Sequence, residues 1–317
     1  MKLTDLKQLT EKFPDMGTPY LQSDLHTATR QMGIDPNNFY QELEMSYRFV
    51  QTHRDVSYSN SSVQLHSHSF HELLYCRSTC GAEYLVGARR YRLQRGDIIF
   101  VPAGVSHRPL LPEHMTEPYK RYVLWLSSEF TDHIMQLFPD TFKQGNSTTH
   151  LLRTAGTEWE FLGDYFRIGI QESEQKKNGW ETAVLGNALQ LITQLRRVTT
   201  DPASSPLHAE KPELLDQILD YVERNYASRI TLSDIARRFY VSEGTVTQTF
   251  RKKMGTSFYR CVTQRRLIAA KSMILDGVSL EDVAEQIGFS DYSSFYRAFR
   301  QEYGISPRQF RKMQDPG

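Results

Sequence analysis

The side chains best suited to chemistry fall in two short runs. One reads His66-Ser-His68-Ser-Phe-His71-Glu72. The other, Gly96-Asp-Ile-Ile-Phe-Val-Pro102-Ala-Gly104-Val-Ser-His107, ends on a further histidine. On an extended strand, positions 66, 68 and 72 share one face because successive side chains alternate. The two imidazoles and the carboxylate on that face (His66, His68 and Glu72) are ligand types for a divalent transition metal. They could equally line a small-molecule pocket or sit as hydrogen-bonded core groups. Cys76 and Cys80, four residues apart across a strand end, invite a redox reading, but such chemistry needs an accessible, acidified thiol. They read as structural thiols. With Cys261 they make three cysteines, an odd number that suits a reducing compartment better than a disulfide framework.

A second group of candidates lies near the C-terminus. Thr231 and Ser242 are helix N-caps with Asp234 three residues beyond the first, and Ser279 repeats the arrangement with Asp282. Ile235, Ala236 and Phe239, then Val283, Ala284 and Ile287, give helical apolar spacing. Gly288 ends one helix, Ser290 caps the next, and Gly304 stops it before Pro307 begins another. Val246, Phe250 and Gly255 recur 49 residues later as Phe295, Phe299 and Gly304. Two helix-turn-helix units, at about 231–255 and 279–304, therefore stand in tandem, joined by a helix from about 257 to 276. Opposite the apolar stripes lie Glu243, Gly244, Thr247, Gln248 and Arg251 on one helix. Tyr292, Ser293, Tyr296, Arg297 and Arg300 lie on the other. Polar, aromatic and basic faces of this kind suit the major groove of double-stranded DNA. Gln248 can pair with adenine and Arg297 with guanine, while Arg251, Lys252, Arg300, Arg308 and Arg311 suit phosphates.

The elements that position these groups change character along the chain. Residues 1–45 predict a partly helical arm. From Tyr47 to about Ser127, short β-rich runs separated by Gly81, Gly87, Gly96 and Pro102-Ala-Gly104 predict a small all-β barrel or sandwich. From about Phe130 to Val198 the pattern predicts helix. Val184, Ala188, Leu191, Leu195 and Val198 form a heptad stripe there, suited to covering the barrel or to pairing two copies. Residues 199–212, with three prolines, predict a linker between a 46–198 domain and a 213–317 domain.

These residues carry a family resemblance. The run Ala284…Gly288-Phe289-Ser290…Phe295…Phe299-Arg300…Gly304…Ser306-Pro307…Phe310-Arg311 resembles the signature of AraC/XylS-type bacterial transcription regulators. The two histidine runs resemble the two motifs of a cupin barrel, departing from it at Asn60, Gly81 and Leu111. The resemblance implies a multidomain chain. An all-β cupin-like barrel with flanking helices serves as effector-binding and dimerisation domain. An all-α DNA-binding domain of two helix-turn-helix units follows. His66, His68, Glu72 and His107 would line the effector pocket. Thr247 and Gln248 match base-contacting positions of such regulators, and Tyr292, Ser293, Tyr296 and Arg297 match the corresponding second face. Gly244 removes a side chain where relatives often carry one, which shifts base reading toward the second helix. Sensor barrels of this type work without a metal, so neither metal nor other cofactor is expected, and no enzymatic activity. A metal-dependent cupin enzyme carrying a DNA-binding tail is the alternative.

Composition agrees with this division. Hydrophobic residues make up 39% and charged residues 24%, the balance of a soluble globular protein. No apolar run approaches the roughly 20 residues that span a bilayer, and the N-terminus has no secretory core, so a cytoplasmic location and no membrane partner are expected. Net charge is +1, but it is unevenly spread. From Ala227 onward, fifteen Lys and Arg face nine Asp and Glu, whereas the remainder is acidic. The expected partners are DNA on the basic third, a small-molecule effector such as a sugar or related metabolite, a second copy of the chain, and RNA polymerase.

Overall fold

A computed structural model of the protein describes residues 45, 47–58, 65–112, 114–139, 150–200 and 213–314. The expected N-terminal arm, save Met45, lies outside the described residues, as do 201–212 of the expected linker.

The first half is built on strands: β1 (Val50–Ser57), β2 (His71–Cys76), β3 (Glu83–Val86), β4 (Arg89–Arg92), β5 (Asp97–Val101), β6 (His107–Leu110) and β7 (Tyr119–Leu126). Helix α1 (Ser128–Leu137) and strand β8 (Leu151–Arg153) follow. They form a five-stranded antiparallel sheet in the order β1-β7-β2-β5-β8 and a three-stranded one in the order β4-β3-β6. Side chains alternate between two cores, as the two-residue period of a strand requires. Leu74 and Cys76, Ile99 and Val101, and Tyr119, Val123 and Trp125 point between the sheets, where they meet Tyr84 and Val86. Leu73, Ile98, Tyr122 and Leu124 point the other way, toward helices α2 (Leu162–Gln175) and α3 (Trp180–Thr200).

Several boundaries differ from the pattern. The run from Tyr47 reads as strand, yet β1 begins only at Val50. β8 interrupts the stretch predicted as helix; its three residues pair with β5, Asp97 opposite Arg153, and carry no alternation to betray them. Helix α3 runs through Thr199 and Thr200, so the predicted linker begins two residues late. The heptad stripe is covered within the protomer. Val184, Ala188, Leu191 and Val198 are buried, and Leu195 packs beside them against α2 and the outer face of the sheet.

The second half is helical: α4 (Leu214–Asn225), α5 (Leu232–Arg238), α6 (Glu243–Met254), α7 (Phe258–Leu275), α8 (Leu280–Gln286), α9 (Tyr292–Tyr303) and α10 (Pro307–Gln314). Thr231, Ser242 and Ser279 cap as their types predict, each accepting from the backbone N–H three residues on. The cap of α9 is Asp291 rather than Ser290; Asp291 accepts from the Ser294 N–H, and the Ser290 hydroxyl donates to Asp291. The reason is one inserted residue. Ser279 follows Thr231 by 48 positions, whereas Asp291 follows Ser242 by 49, so the second turn is longer. Gly288 has φ +84°, and a Cβ there would lie 2.4 Å from the Ala227 carbonyl oxygen. The equivalent position of the first unit is Tyr240, also left-handed at φ +56° and 96% exposed. Phe250 and Phe295 with Phe299 anchor separate cores for the two units.

Candidate functional site

Between the sheets, strand ends and one tight segment gather the sequence-predicted histidines. His66 and His107 exchange two backbone hydrogen bonds in an isolated bridge, and their rings lie 4.3 Å apart. No single strand holds 66, 68 and 72, contrary to the extended reading. The chain bends at Ser69 and Phe70, and β2 begins only at His71. The cluster still forms, because His68 folds back to within 4.7 Å of the His107 ring and Glu72 enters from β2. Ligand atoms of His66, His68 and His107 all lie within 4.8 Å of one another. Glu72 Oε2 is 3.3 Å from His107 Nε2 and 3.8 Å from His68 Nε2. Its other oxygen accepts the Trp125 indole N–H at 2.8 Å. His68 Nδ1 is 2.7 Å from the Phe70 carbonyl, and His107 Nδ1 is 2.8 Å from that of Val105. Burial lowers the proton affinity of His68, so its ring is neutral at pH 7. The walls are aromatic: Phe70 stacks on His68 at 3.8 Å, and Trp125 lies 4.5 Å from Phe70. Deeper in, burial raises the Tyr84 and Tyr119 hydroxyls well above their ordinary range. Buried Arg121 is held by Asp55 and donates to the Ser57 hydroxyl at 3.0 Å.

The cysteines do not join this cluster chemically. Burial pushes the Cys76 thiol up to about 12, and the group donates to the Ser78 carbonyl. Cys261, in α7, is likewise buried and pushed up to about 12.

The predicted DNA-reading faces are displayed. Glu243, Gly244, Thr247, Gln248 and Arg251 are exposed on α6, and Ser293, Arg297 and Arg300 on α9. Tyr292 and Tyr296 are half-buried, their rings 6.3 Å apart, with Tyr292 also leaning on Phe295. Apolar anchors Val246, Phe250, Phe295 and Phe299 fix each helix from behind. Several nearby cations hold the fold instead. Arg265 forks onto Glu223 with two bonds of 2.5 Å, Arg266 donates to the Tyr226 and Ser228 carbonyls, and Arg311 donates to the Val278 carbonyl. Arg311 thereby braces the connection between α7 and α8.

One contact has no signature in the sequence. The three-stranded sheet turns Glu83, Leu85, Arg90, Arg108 and Leu110 away from the histidines and toward the helical half. Leu85 and Leu110 share a core with α4, α6 and α7. Arg90 donates to Glu83 at 2.6 Å, to Glu213 at 2.6 Å and to Asp216 at 2.8 Å. Glu213 also pairs with Lys253 at the end of α6, the first reading helix.

Residues 48–153 match the family model described as an AraC-like ligand binding domain, and residues 235–313 match one described as a helix-turn-helix domain. Together they cover more than half of the protein. The chain belongs to the AraC family of transcription regulators. The HTH-type transcriptional activator RhaS of Enterobacter sp. (strain 638) is 25% identical over 258 residues, covering 79% of this chain and 88% of that protein. The HTH-type transcriptional regulator YtdP of Bacillus subtilis is 29% identical over 114 residues, which are 36% of this chain but only 15% of YtdP. Among solved structures, ToxT of Vibrio cholerae aligns with 84% of this chain and 99% of its own at 12% identity and a TM-score of 0.35. The AraC-family assignment makes the strand half a ligand-binding, cupin-like domain and the helical half a DNA-binding domain. Among the described residues no helix is long and apolar enough to cross a membrane. For an AraC-family chain, the placement of β6 is the notable feature: His107 faces the ligand-binding interior, while Arg108 and Leu110 on alternate positions face the DNA-binding half.

Proposed function

We propose that a small molecule held between the two sheets controls DNA binding by this chain, and that the control passes through β6. The carrying observation is that strand's two-sidedness. His107 borders the interior, and Leu110, three residues on, packs in the core of the first helix-turn-helix unit. A ligand that favours one position of β6 would favour one docking of the helical half. The exposed faces of α6 and α9 stay open in the docked arrangement, so docking would set their spacing rather than cover them. Sugars or related small metabolites are the effector class that the family likeness suggests. Two copies at paired half-sites, with RNA polymerase as a further partner, belong to the same reading.

The test begins with DNA sequences selected from a random pool by the full chain, and a thermal-shift screen of metabolites. A stabilising metabolite should also change DNA affinity. In Arg90→Ala that change should shrink to near nothing while DNA binding itself persists. An undiminished ligand effect in Arg90→Ala refutes transmission through this contact. Metabolites that stabilise the protein yet leave DNA affinity untouched refute ligand control.

A further inference from the structure

We propose that Arg266 locks the two helix-turn-helix units into one block and so fixes the spacing between the two DNA elements they read. This goes beyond ligand control of the chain and does not depend on it.

The two units keep separate cores and share α7. Phe258, Cys261 and Val262 of that helix belong to the first core, and Leu267, Ala270 and Ile274 to the second. Units joined by one helix rock against each other unless further contacts tie them. Arg266 supplies a tie. Its Nε donates to the Tyr226 carbonyl and its Nη2 to that of Ser228, both at 2.8 Å, in the connection leading into the first unit. The same guanidinium lies 5.7 Å from the Phe289 ring in the turn of the second unit. It is half-buried, and burial lowers its proton affinity. The two carbonyl bonds offset that cost.

The turn shows what the contact demands. Gly288 and its first-unit counterpart Tyr240 are both left-handed, at φ +84° and +56°. The turn alone therefore tolerates a side chain. At Tyr240 that side chain runs into solvent, 96% exposed. At Gly288 a Cβ would lie 2.4 Å from the Ala227 oxygen and 3.1 Å from Arg266 Nη2. Glycine there serves the approach of one unit to the other. A second tie runs from α9. Glu302 accepts from Gln264 Nε2 at 2.9 Å and pairs with Arg260 at 3.0 Å, both residues on the first-unit half of α7. Gln264 and Arg266 stand about 200° apart around that helix, so rocking is opposed on two sides. A block of fixed geometry reads its two elements at one separation, whereas loosely joined units follow the DNA. Arg266 is thus a positioning residue for spacing, and base identity is left to the exposed faces of α6 and α9.

The full chain selects DNA from a random pool, and single base pairs are then inserted between the two elements. One base pair turns the second element by about 34° and moves it by about 3.4 Å. The parent should lose at least about 10-fold in affinity, and Arg266→Met no more than about 3-fold relative to its own uninserted site. Single-base preferences within each element should match the parent's. Equal spacing penalties in the two proteins overturn the proposal, as does a parent indifferent to spacing. Nitroxide labels on Ser233→Cys in α5 and Gln286→Cys in α8, both exposed positions, read the geometry directly, since the native cysteines are buried. Diluted with unlabelled chain, the parent should give one narrow distance by pulsed electron resonance, and Arg266→Met a broad one. Should Arg266→Met fail to fold by circular dichroism, Arg266→Lys, which keeps the charge but loses the fork, replaces it. A broad distance distribution in the folded parent refutes the lock whatever the variants do.

Discussion

Two equivalent turn positions should respond in opposite directions to substitution. In Gly288→Ala, an L residue is forced to φ +84°, which costs about 1–2 kcal/mol. The new Cβ would sit 2.4 Å from the Ala227 oxygen and 2.8 Å from its carbonyl carbon, both backbone atoms that cannot swing aside. Displacing packed neighbours adds about 1–3 kcal/mol. The total, about 2–5 kcal/mol, should lower the melting transition of the helical half by at least about 10 °C. The strain also reaches Arg266, which clasps the α4–α5 connection through Tyr226 and Ser228, so DNA affinity should fall as well. Tyr240→Gly is the counterpart. It relieves a left-handed L residue whose side chain is 96% exposed, giving up almost no packing. A gain of about 0.5–1 kcal/mol is expected. Differential scanning calorimetry of the full chain reads both. If Gly288→Ala melts within about 2 °C of the parent, the close approach to Ala227 is absent in solution. If Tyr240→Gly melts lower, the exposed ring has a partner and the strain argument fails.

Arg297→Ala should lose about 1–3 kcal/mol of specific DNA binding and relax one base preference, whereas Arg300→Ala should weaken all sequences alike and lower the salt slope by about one. Competition binding on single-base operator variants separates the two, and identical profiles would refute the division of labour. Buried Asp97 is pushed up to about 6 by burial, against an ordinary value of 3.8. The folded chain therefore holds that proton across pH 4–6, stability falls as pH rises through the window, and the loss of at most about 3 kcal/mol is complete above it. Asp97→Asn, which can still accept the Gln94 N–H, should be more stable than the parent at pH 8 and lose that advantage near pH 4; an equal difference at both, in urea unfolding, refutes the assignment. Cys76 and Cys261, both pushed up to about 12, should react with iodoacetamide at pH 8 only on unfolding, and rapid labelling of either in the native chain would contradict their burial.

The helical half was readable because its signals are local. Caps at Thr231, Ser242 and Ser279 and the terminators Gly255, Gly288 and Gly304 act within a few residues, so sequence spacing carries them. The single slip, Ser290 for Asp291, arose from an insertion that shifts register between the halves of one motif. The histidine cluster was legible in composition but not in geometry. Its members meet through a bridge between His66 and His107, 41 residues apart, rather than along one strand. Trp125 was hidden for the same reason: its link to Glu72 depends on β7 pairing with β2. Arg90 offered no signal at all, since one arginine in Arg89-Arg-Tyr-Arg92 looks like its neighbours until the fold sets three carboxylates around it.

That last contact bears on how easily a ligand could be heard at the DNA. Arg90 is nearly buried, its side chain 7% exposed, and its partners Glu83, Glu213 and Asp216 come from both halves of the protein. Burying a guanidinium is costly, and only full pairing offsets that cost. A partly displaced arrangement, with Arg90 dry but short of a carboxylate, is therefore worse than either the docked or the fully separated one. Such a contact behaves as two states rather than as a spring. The apolar part is modest, chiefly Leu65, Leu85 and Leu110 against the first helical unit, so the free energy separating the states can be small. A ligand binding one state 100-fold more tightly shifts the balance by about 2.7 kcal/mol. Because β6 carries His107 on one face and Leu110 on the other, that preference needs no long path. On the proposed reading, a shift of one short strand would change both the chamber and the docking surface.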